Sequence, residues 1–381
     1  MRVAIVAGPY IPIPPKQYGG VEQVVHYLIK GLKEAGHEPI LLGPGDSEVD
    51  CKVIPIVEKA IYFPTSKKSV REHVRLIKKA ERNTKKILRD LLPEIDIIHS
   101  HCTSNSLSRG FELKPFKDFP HLITLHNRIE FEDLEYFRKR DMLNYVSISK
   151  NQQHAMPDLN YLDVVYNGEN PDEFPLVTQP EDYVCFLGRF DRDKNPHLAI
   201  QLAISLGIKI KLAGKVDHEG EGYFEEEVAK YFDHPLVEYL GQLGFDEKVE
   251  LLSKAKCNLH PTNFREPFGL TVLEAAYCGT PTLAVARGSM PELIESGRTG
   301  ILVEDFIEGR HHVEECFAMD RAYIASRARQ LFNYKTMTEG YIAAYEKAIA
   351  LAPVKSRGST NIIKRLLSQA IIRIKSFKTA Y

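Results

Sequence analysis

Two glutamates, Glu266 and Glu274, lie eight residues apart with a glycine between them. Gly269 lets the chain turn closely into a helix that carries Glu274 on its second turn, whereas Glu266 stays in the preceding loop. The free N–H groups of Phe268, Gly269 and Leu270 would point out of the helix N-terminus, where backbone donors and the helix dipole favour an anion. The spacing therefore predicts a site for a diphosphate-linked ligand, with one carboxylate before the phosphates and one after them.

The sequence around this pair predicts a strand-helix-strand-helix unit. An apolar run from Cys257 to Pro261 precedes Glu266, and an apolar strand from Thr282 to Ala286 follows the helix. In open parallel sheets, ligands collect at the carboxyl ends of the strands, which is where Glu266 falls. Taken alone, the two glutamates could be solvated surface charges; this context favours a ligand site.

Two cations follow the first predicted strand of the second half of the chain. Arg189 and Lys194 lie in the loop after the strand from Tyr183 to Gly188. A guanidinium and an ammonium in one loop could neutralise a diphosphate and stabilise a departing nucleotide without a metal. The alternative is that both side chains are simply solvated in a surface loop. In the first half, Gly19 and Gly20 begin a helix whose backbone could approach a ligand closely. Neither loop is a Walker loop or a GxGxxG fingerprint, which argues against ATP and NAD.

Histidines are the remaining candidates. His126 follows an apolar strand from Leu122 to Leu125 and is therefore expected at the edge of a cleft, whereas His101 flanks the end of another strand. Strand-end imidazoles are often structural hydrogen-bonding groups. We favour His126 over His101 as a functional residue, and we interpret His311 and His312 as surface residues.

Composition and charge indicate a globular protein with two domains. The chain has 381 residues, of which 44% are hydrophobic and 27% charged, and this length exceeds one typical core. A formal net charge of −1 gives no overall field for nucleic acid. The six cysteines are scattered without a CxxC pair, so we expect buried free thiols, a reducing cytoplasmic compartment and no structural zinc site. No apolar run approaches the roughly eighteen residues needed to span a bilayer.

Short apolar strands alternate with helical patterns through both halves of the chain, which predicts an α/β protein with parallel sheets built from crossover units. The first half opens with a strand from Arg2 to Ala7, a helix from Gly20 to Ala35 and a second strand from Glu38 to Leu42. A polar loop from Asn167 to Asp172 interrupts the alternation, and the second half restarts at Tyr183. Two such halves facing one another would form a cleft.

Together these motifs resemble the retaining glycosyltransferases of family 4, also described as glycosyl transferases group 1. The resemblance extends from Met1 to about Leu351 and implies the GT-B fold, in which two facing Rossmann-like domains with parallel sheets enclose a cleft. Departures in the loop from Pro261 to Arg265 and at Asn195 leave the sugar preference open. The segments that carry the resemblance are Pro15 to Glu22, Ile123 to His126, Ser147 to Ser149, Tyr166 to Gly168, Phe186 to Arg189 with Lys194, and Glu266 to Leu270 with Glu274 and Ala275.

The resemblance implies roles for the residues of the second half. Glu274 would bind the ribose hydroxyls of a nucleotide sugar, and Glu266 would contact hydroxyls of the transferred sugar. Arg189 and Lys194 would hold the diphosphate together with the backbone of residues 268–270.

From the first half, Gly19 and Gly20 would approach the donor phosphates or the acceptor, and His126 would lie beside the sugar ring. The family transfers a sugar with retention of anomeric configuration, and the leaving phosphate is the base toward the incoming hydroxyl. The resemblance implies no cofactor and no metal. The predicted catalytic residues are Glu266, His126, Arg189 and Lys194.

The expected domains are an N-terminal acceptor-side domain over residues 1–170 and a C-terminal nucleotide-sugar-binding domain over 171–337. A crossing helix at about 338–352 would return to the first domain. A basic amphipathic tail at 353–381 carries seven Lys or Arg residues and no acid, so it could lie on an anionic membrane surface; packing on the protein is the alternative. The basic run over residues 67–89 is interpreted as the solvated face of a helix.

The expected function is transfer of a hexose or related sugar from a UDP- or GDP-linked donor to a hydroxyl acceptor, which would be a sugar, glycan or glycolipid. Two alternatives are a sugar-nucleotide-binding protein without turnover and a GT-B nucleotide-sugar epimerase. An epimerase would need a different acid-base set, and the lysine signature that anchors the pyridoxal cofactor of a phosphorylase is absent from the sequence.

Overall fold

The computed structural model describes residues 1–16, 19–62, 67–102, 113, 116–216 and 221–353. The first half of the chain folds around a seven-stranded sheet with the order β3-β2-β1-β4-β5-β6-β7, in which every neighbouring pair is parallel. Its strands are β1 (Arg2–Val6), β2 (Glu38–Pro44), β3 (Lys52–Val57), β4 (Ile97–Ser100), β5 (His121–Leu125), β6 (Tyr145–Ser147) and β7 (Tyr161–Val164), and its helices are α1 (Gly20–Glu34), α2 (Lys67–Leu91) and α3 (Leu134–Arg138).

The second half folds around a six-stranded parallel sheet with the order β10-β9-β8-β11-β12-β13. The strands are β8 (Val184–Leu187), β9 (Ile210–Ala213), β10 (Val237–Tyr239), β11 (Cys257–His260), β12 (Thr282–Val285) and β13 (Gly300–Val303). The helices are α4 (Pro196–Ser205), α5 (Glu221–Tyr223), α6 (Phe245–Lys254), α7 (Leu270–Tyr277), α8 (Met290–Leu293), α9 (Val313–Phe317) and α10 (Arg321–Leu331). The expected α/β architecture of two parallel sheets is confirmed.

The last described helix, α11 (Tyr334–Leu351), crosses back to the first half. Tyr341 and Tyr345 are completely buried in the core that also contains Val3 and Ile5 of β1. Within α11, a Cβ at Gly340 would lie 3.1 Å from a methyl carbon of Val165, so the glycine permits close packing of the helix. The crossing helix is therefore part of the first core, and it begins at Tyr334, earlier than expected.

The two segments that join the halves run side by side. Glu169 forms a parallel bridge with Asn333, and the N–H of Tyr334 donates to the carbonyl of Glu169 over 2.9 Å. The sheets lie within residues 1–170 and 171–337 respectively. The domain boundaries themselves stay predictions.

The basic run is on the exposed face of α2, whose opposite face buries Ile77, Ala80 and Leu88. Seven cations on this helix are exposed, as expected of a solvated face: Arg71, Arg75, Lys78, Lys79, Arg82, Lys86 and Arg89. Across the described part of the chain, helices with the length and apolarity needed to cross a membrane are lacking. Residues 354–381, where the amphipathic tail is expected, lie outside the described residues.

Candidate functional site

Both sheets have a point at which the strand order reverses. In the first sheet it lies between β1 and β4, and in the second between β8 and β11. Ligands of doubly wound sheets bind in the crevice at the carboxyl ends of such strands. The segments that leave these strands carry many of the predicted site residues, namely Gly19 and Gly20 after β1, Arg189 and Lys194 after β8, and Glu266 after β11. His101, the less favoured histidine, follows β4.

The two halves meet at these segments. A Cβ at Gly20 would lie 3.1 Å from Cδ1 of Leu270, so the first turn of α1 abuts the first turn of α7. Arg128, in the loop after β5, forms an ion pair with Asp193 in the loop after β8, with 3.3 Å between Nη2 and Oδ2. The predicted residues of both halves therefore border one cleft.

Glu266 and Lys194 form an ion pair at the second reversal point, with 14% of each side chain exposed. Burial alone would raise the pKa of the Glu266 carboxyl, but Lys194, with His260 and Arg189 nearby, holds it below its usual value. Glu266 is therefore an ionised carboxylate at neutral pH, and it can only accept hydrogen bonds.

Asp191 organises the loop that carries both cations. Its carboxylate pairs with Arg189, with 2.9 Å between Oδ2 and Nη1, and accepts a hydrogen bond from the backbone N–H of Lys194 at 2.9 Å. The loop is tied to the Glu266 loop by the N–H of Asn263, which donates to the carbonyl of Asp193 over 2.8 Å. Asp191 was absent from the predicted site, although its position between the two cations was a usable signal.

Two glycines shape the loop from Glu266 to α7: Gly269 within it, and Gly288, which follows β12 and packs against it. Gly269 precedes α7 with a φ of 95°, and a Cβ there would lie 2.6 Å from Cε of Met290. Gly288 has a φ of 64°, and a side chain there would overlap the backbone of Glu266. Phe268 is buried in the hydrophobic core of the second half, so its backbone rather than its ring is available to a ligand.

Glu274 lies on α7 beneath the cleft rather than at its rim. It forms an ion pair with Lys248 of α6, and only 5% of its side chain is exposed. Glu169, which is completely buried, faces the same carboxyl group. Sequence reasoning missed Lys248 and Glu169, because nothing local in the sequence places them beside Glu274.

In the first half, three imidazoles form a buried row below the cleft. Nδ1 of His101 lies 2.8 Å from Nε2 of His126, and His99 is bonded to Thr124 at 2.8 Å and to the hydroxyl of Tyr345 at 2.7 Å. Burial lowers the pKa of His126 to about 3 and holds the pKa of His99 and of His101 well below the usual value. All three are neutral at pH 7, and His101, which the sequence ranked lower, holds His126.

Among the described residues, histidine, cysteine and acidic side chains form no group of three that could hold a metal ion.

Family models match both halves of the chain. The model described as Glycosyltransferase Family 4 matches residues 18–160, and the one described as Glycosyl transferases group 1 matches residues 170–309. The chain belongs to glycosyltransferase family 4. This membership confirms the family resemblance of the sequence motifs.

Curated relatives of this glycosyltransferase act on different substrates. Glycogen synthase of Mycobacterium tuberculosis is 24% identical over 356 residues, which cover 79% of this chain and 82% of that protein. D-inositol 3-phosphate glycosyltransferase of Mycobacterium bovis is 30% identical over 211 residues, which cover 49% of this chain and 42% of that protein.

Solved structures confirm the GT-B fold. AviGT4, a glycosyltransferase involved in avilamycin A biosynthesis, superposes with a TM-score of 0.68 at 22% identity, over 92% of this chain and 99% of that one. Alr3699/HepE of Anabaena in complex with UDP and glucose gives a TM-score of 0.67 at 16% identity, over 91% of this chain and 99% of that one.

Proposed function

We propose that this glycosyltransferase moves a sugar from a UDP- or GDP-linked donor to a hydroxyl of a sugar, glycan or glycolipid, with retention of anomeric configuration. The observation that carries the proposal is the cluster at the second reversal point, where Lys194 and Arg189 lie beside the ionised Glu266 and next to the N-terminus of α7. Two cations, one carboxylate and a helix N-terminus match a phosphate group that carries a sugar.

In this proposal, the two cations and the backbone of residues 268–270 hold the diphosphate. The charge on the leaving diphosphate grows as the bond to the sugar breaks, so fixed cations stabilise the transition state more than the bound donor. Arg189 is well placed to respond to a ligand, because 34% of its side chain is exposed while Asp191 orients it.

Glu266 accepts hydrogen bonds from hydroxyls of the transferred sugar, and Glu274 accepts them from the ribose. An ionised carboxylate suits this role because it offers about four acceptor positions and no donor. The Glu274 carboxylate keeps one oxygen on Lys248, which leaves acceptor positions for a ribose hydroxyl.

From the first half, Gly19 and Gly20 bring backbone towards the phosphates or the acceptor, and His126 lies beside the sugar ring. With a pKa of about 3, His126 acts as a neutral hydrogen-bonding group rather than as an acid. The departing phosphate takes the proton of the attacking hydroxyl. The proposed reaction uses no metal and no other cofactor.

A panel of UDP-, GDP- and ADP-linked sugars tests the donor class. A donor that binds only the native state raises the thermal midpoint, and we expect stabilisation by UDP- or GDP-linked sugars. The stabilising donor is then incubated with mono- and disaccharide acceptors, and the anomeric proton of the product is followed by NMR. Absence of stabilisation by every donor, or a product with inverted configuration, would contradict the proposal.

We also propose that residues 354–381 attach the enzyme to an anionic membrane. The support is compositional: seven cations, no acid and apolar residues at helical spacing. Flotation with anionic and with zwitterionic vesicles compares the full chain with one that ends at Pro353. Selective binding of the full chain to anionic vesicles is expected; equal flotation of the two chains rejects the attachment.

A further inference from the structure

Glu169 is a buried acid at the place where the chain crosses between the two halves. Its carbonyl accepts the N–H of Tyr334 at the start of α11 over 2.9 Å. Its own N–H donates to the hydroxyl of Tyr277 on α7 over 3.2 Å. The residue is therefore fixed by both crossing segments and by the helix that carries Glu274.

The carboxyl group of Glu169 has no hydrogen-bond donor among the described residues. Neither of its oxygens is bonded, and Oε2 of Glu274 also lacks a partner. A buried polar group without a hydrogen bond is destabilising, and two like charges without solvent are more so. The two carboxyl groups nevertheless lie within hydrogen-bonding reach of each other.

One proton between the two carboxyl groups removes this difficulty. It turns an unbonded oxygen of Glu169 into a donor and an unbonded oxygen of Glu274 into its acceptor. The remaining single negative charge is neutralised by Lys248, which already pairs with Glu274. The other titratable groups that face the two carboxyls are Tyr27 on α1, Glu173 after β7, Tyr277 on α7 and Cys278 at its end, and none of these four is a cation.

The pKa shifts of Glu169 and Lys248 agree with one proton shared between the two carboxyl groups. Burial, and then the charge of Glu274, raise the pKa of Glu169 well above its usual value. Burial alone would lower the pKa of Lys248, but Glu274 and Glu169 raise it overall. Glu169 therefore holds the proton of the pair at neutral pH, and Lys248 stays charged beside it.

We propose that Glu169 is a positioning residue, a neutral carboxylic acid whose proton is shared with Glu274 and holds that carboxylate in place. This inference rests on the proposed function, in which Glu274 binds the ribose of the donor. It goes beyond that function by tying the crossing segment between the halves to the nucleotide site through one proton.

The shared proton makes nucleotide binding depend on pH. When pH rises through the pKa of the pair, Glu169 ionises and repels Glu274, so the affinity for nucleotide falls. Stability follows the same direction: the folded pKa of Glu169 lies above its unfolded value, so its contribution is present at acidic pH and is lost as pH rises. Neither loss occurs when the residue cannot ionise.

Three variants of the full chain separate the proton from the shape of the side chain. Glu169→Gln keeps a donor towards Glu274 but cannot ionise, whereas Glu169→Ala removes the donor. Asp172→Asn is the control, because it removes a carboxylate from the same crossing segment, where 88% of the Asp172 side chain is exposed. Binding of UDP and of GDP is measured by calorimetry from about pH 6 to about pH 9.

We expect Glu169→Ala to bind nucleotide roughly tenfold more weakly at neutral pH, the effect of one lost hydrogen bond to a charged group. Glu169→Gln should match the parent near pH 6 and keep its affinity at alkaline pH, where the parent and Asp172→Asn lose theirs. Parental affinity in Glu169→Ala, or the same alkaline loss in Glu169→Gln as in the parent, would overturn the proposal.

Thermal unfolding without nucleotide tests the shared proton independently of the proposed function. The stability of Glu169→Gln relative to the parent should increase from about pH 5 to about pH 9. A constant difference would overturn the shared proton. If neither UDP nor GDP binds the parent, the donor assignment fails, whereas the unfolding result still decides whether the proton is shared.

Discussion

Glu266 and Glu274 are the same kind of residue in two different surroundings. Each is largely buried in the second half of the protein, and each forms an ion pair with a lysine. Glu266 and Lys194 have a further cation nearby, Arg189, whereas Glu274 and Lys248 have a further acid. Two cations therefore lie close to the first carboxylate, although Asp191 pairs with one of them, whereas at the second a proton is needed to avoid two negative charges beside one lysine.

This difference separates two tasks that a nucleotide-sugar site must perform. Fixed cations attract phosphate and stabilise a leaving group more strongly as it becomes more negative. A carboxylate whose charge is compensated by one lysine, as Glu274 is by Lys248, offers acceptors to hydroxyls without attracting a second anion. Two glutamates eight residues apart can serve different parts of one donor because their surroundings differ.

Lys194→Ala should have the largest effect, because it removes the cation that pairs directly with Glu266. We expect kcat to fall by about 10²–10³-fold, as for the loss of one preorganised donor. Stability should fall by about 3–5 kcal/mol, because the partner carboxylate is left buried and unpaired. Turnover and thermal unfolding measure these changes.

The control for Lys194 is Lys209→Ala, which removes a lysine paired with Glu238 at 2.7 Å on the exposed surface. It should change stability by less than about 1 kcal/mol and leave turnover unchanged. Equal turnover in the two variants would remove the distinction between the Glu266 and Glu274 regions.

Glu274→Ala should have a smaller and different effect. It removes hydroxyl acceptors but neither cation of the proposed diphosphate site, so we expect the KM for the donor to rise by roughly 10–100-fold with a lesser change in kcat. Glu250→Ala, which removes an exposed glutamate paired with Lys254 at 2.7 Å, is the control. A fall in kcat with an unchanged KM would show that both glutamates serve the transition state.

His126→Asn should have the smallest effect, and its signature is in the pH dependence. The folded pKa of about 3 lies below the usual 6.5, so the stability that depends on neutral His126 is present above pH 6.5 and is lost as pH falls towards 3. The variant should therefore lose less stability than the parent between about pH 7 and about pH 5. Equal acid sensitivity of the two proteins, by thermal unfolding, would indicate that folding does not lower the pKa of His126.

Periodicity and turn residues predicted most of the fold, because both sheets are built from buried parallel strands that read as short apolar runs. Two strands were missed. β3 is at the edge of its sheet and contains Pro55, which weakens a strand pattern. β13 begins with Gly300, and a glycine weakens a strand pattern. The start of α11 was placed too late because Gly340, which packs on Val165 inside the helix, reads as a boundary.

The sequence predicted the surroundings of Glu266 but not those of Glu274. Lys194 and Glu266 were predicted together because each follows an apolar run that predicts a strand, and ligands of parallel sheets bind at the carboxyl ends of strands. The partners of Glu274 were not predicted, because Lys248 is on another helix and Glu169 is in the crossing segment. The contact with Lys248 exists only after α6 and α7 have packed within the second half, and the contact with Glu169 only after the crossing segment has packed on α7.

The crossing helix has a consequence for how the protein is made. The first core contains Tyr341, Tyr345 and Ile349, so it cannot close until nearly all of the described chain has left the ribosome. Domains are synthesised from the N-terminus and commonly fold in that order. Here the second half, whose last helix ends at Leu331, can fold first. The newly made first sheet must wait with an uncovered apolar face, which is the form of this enzyme that we expect a chaperone to bind.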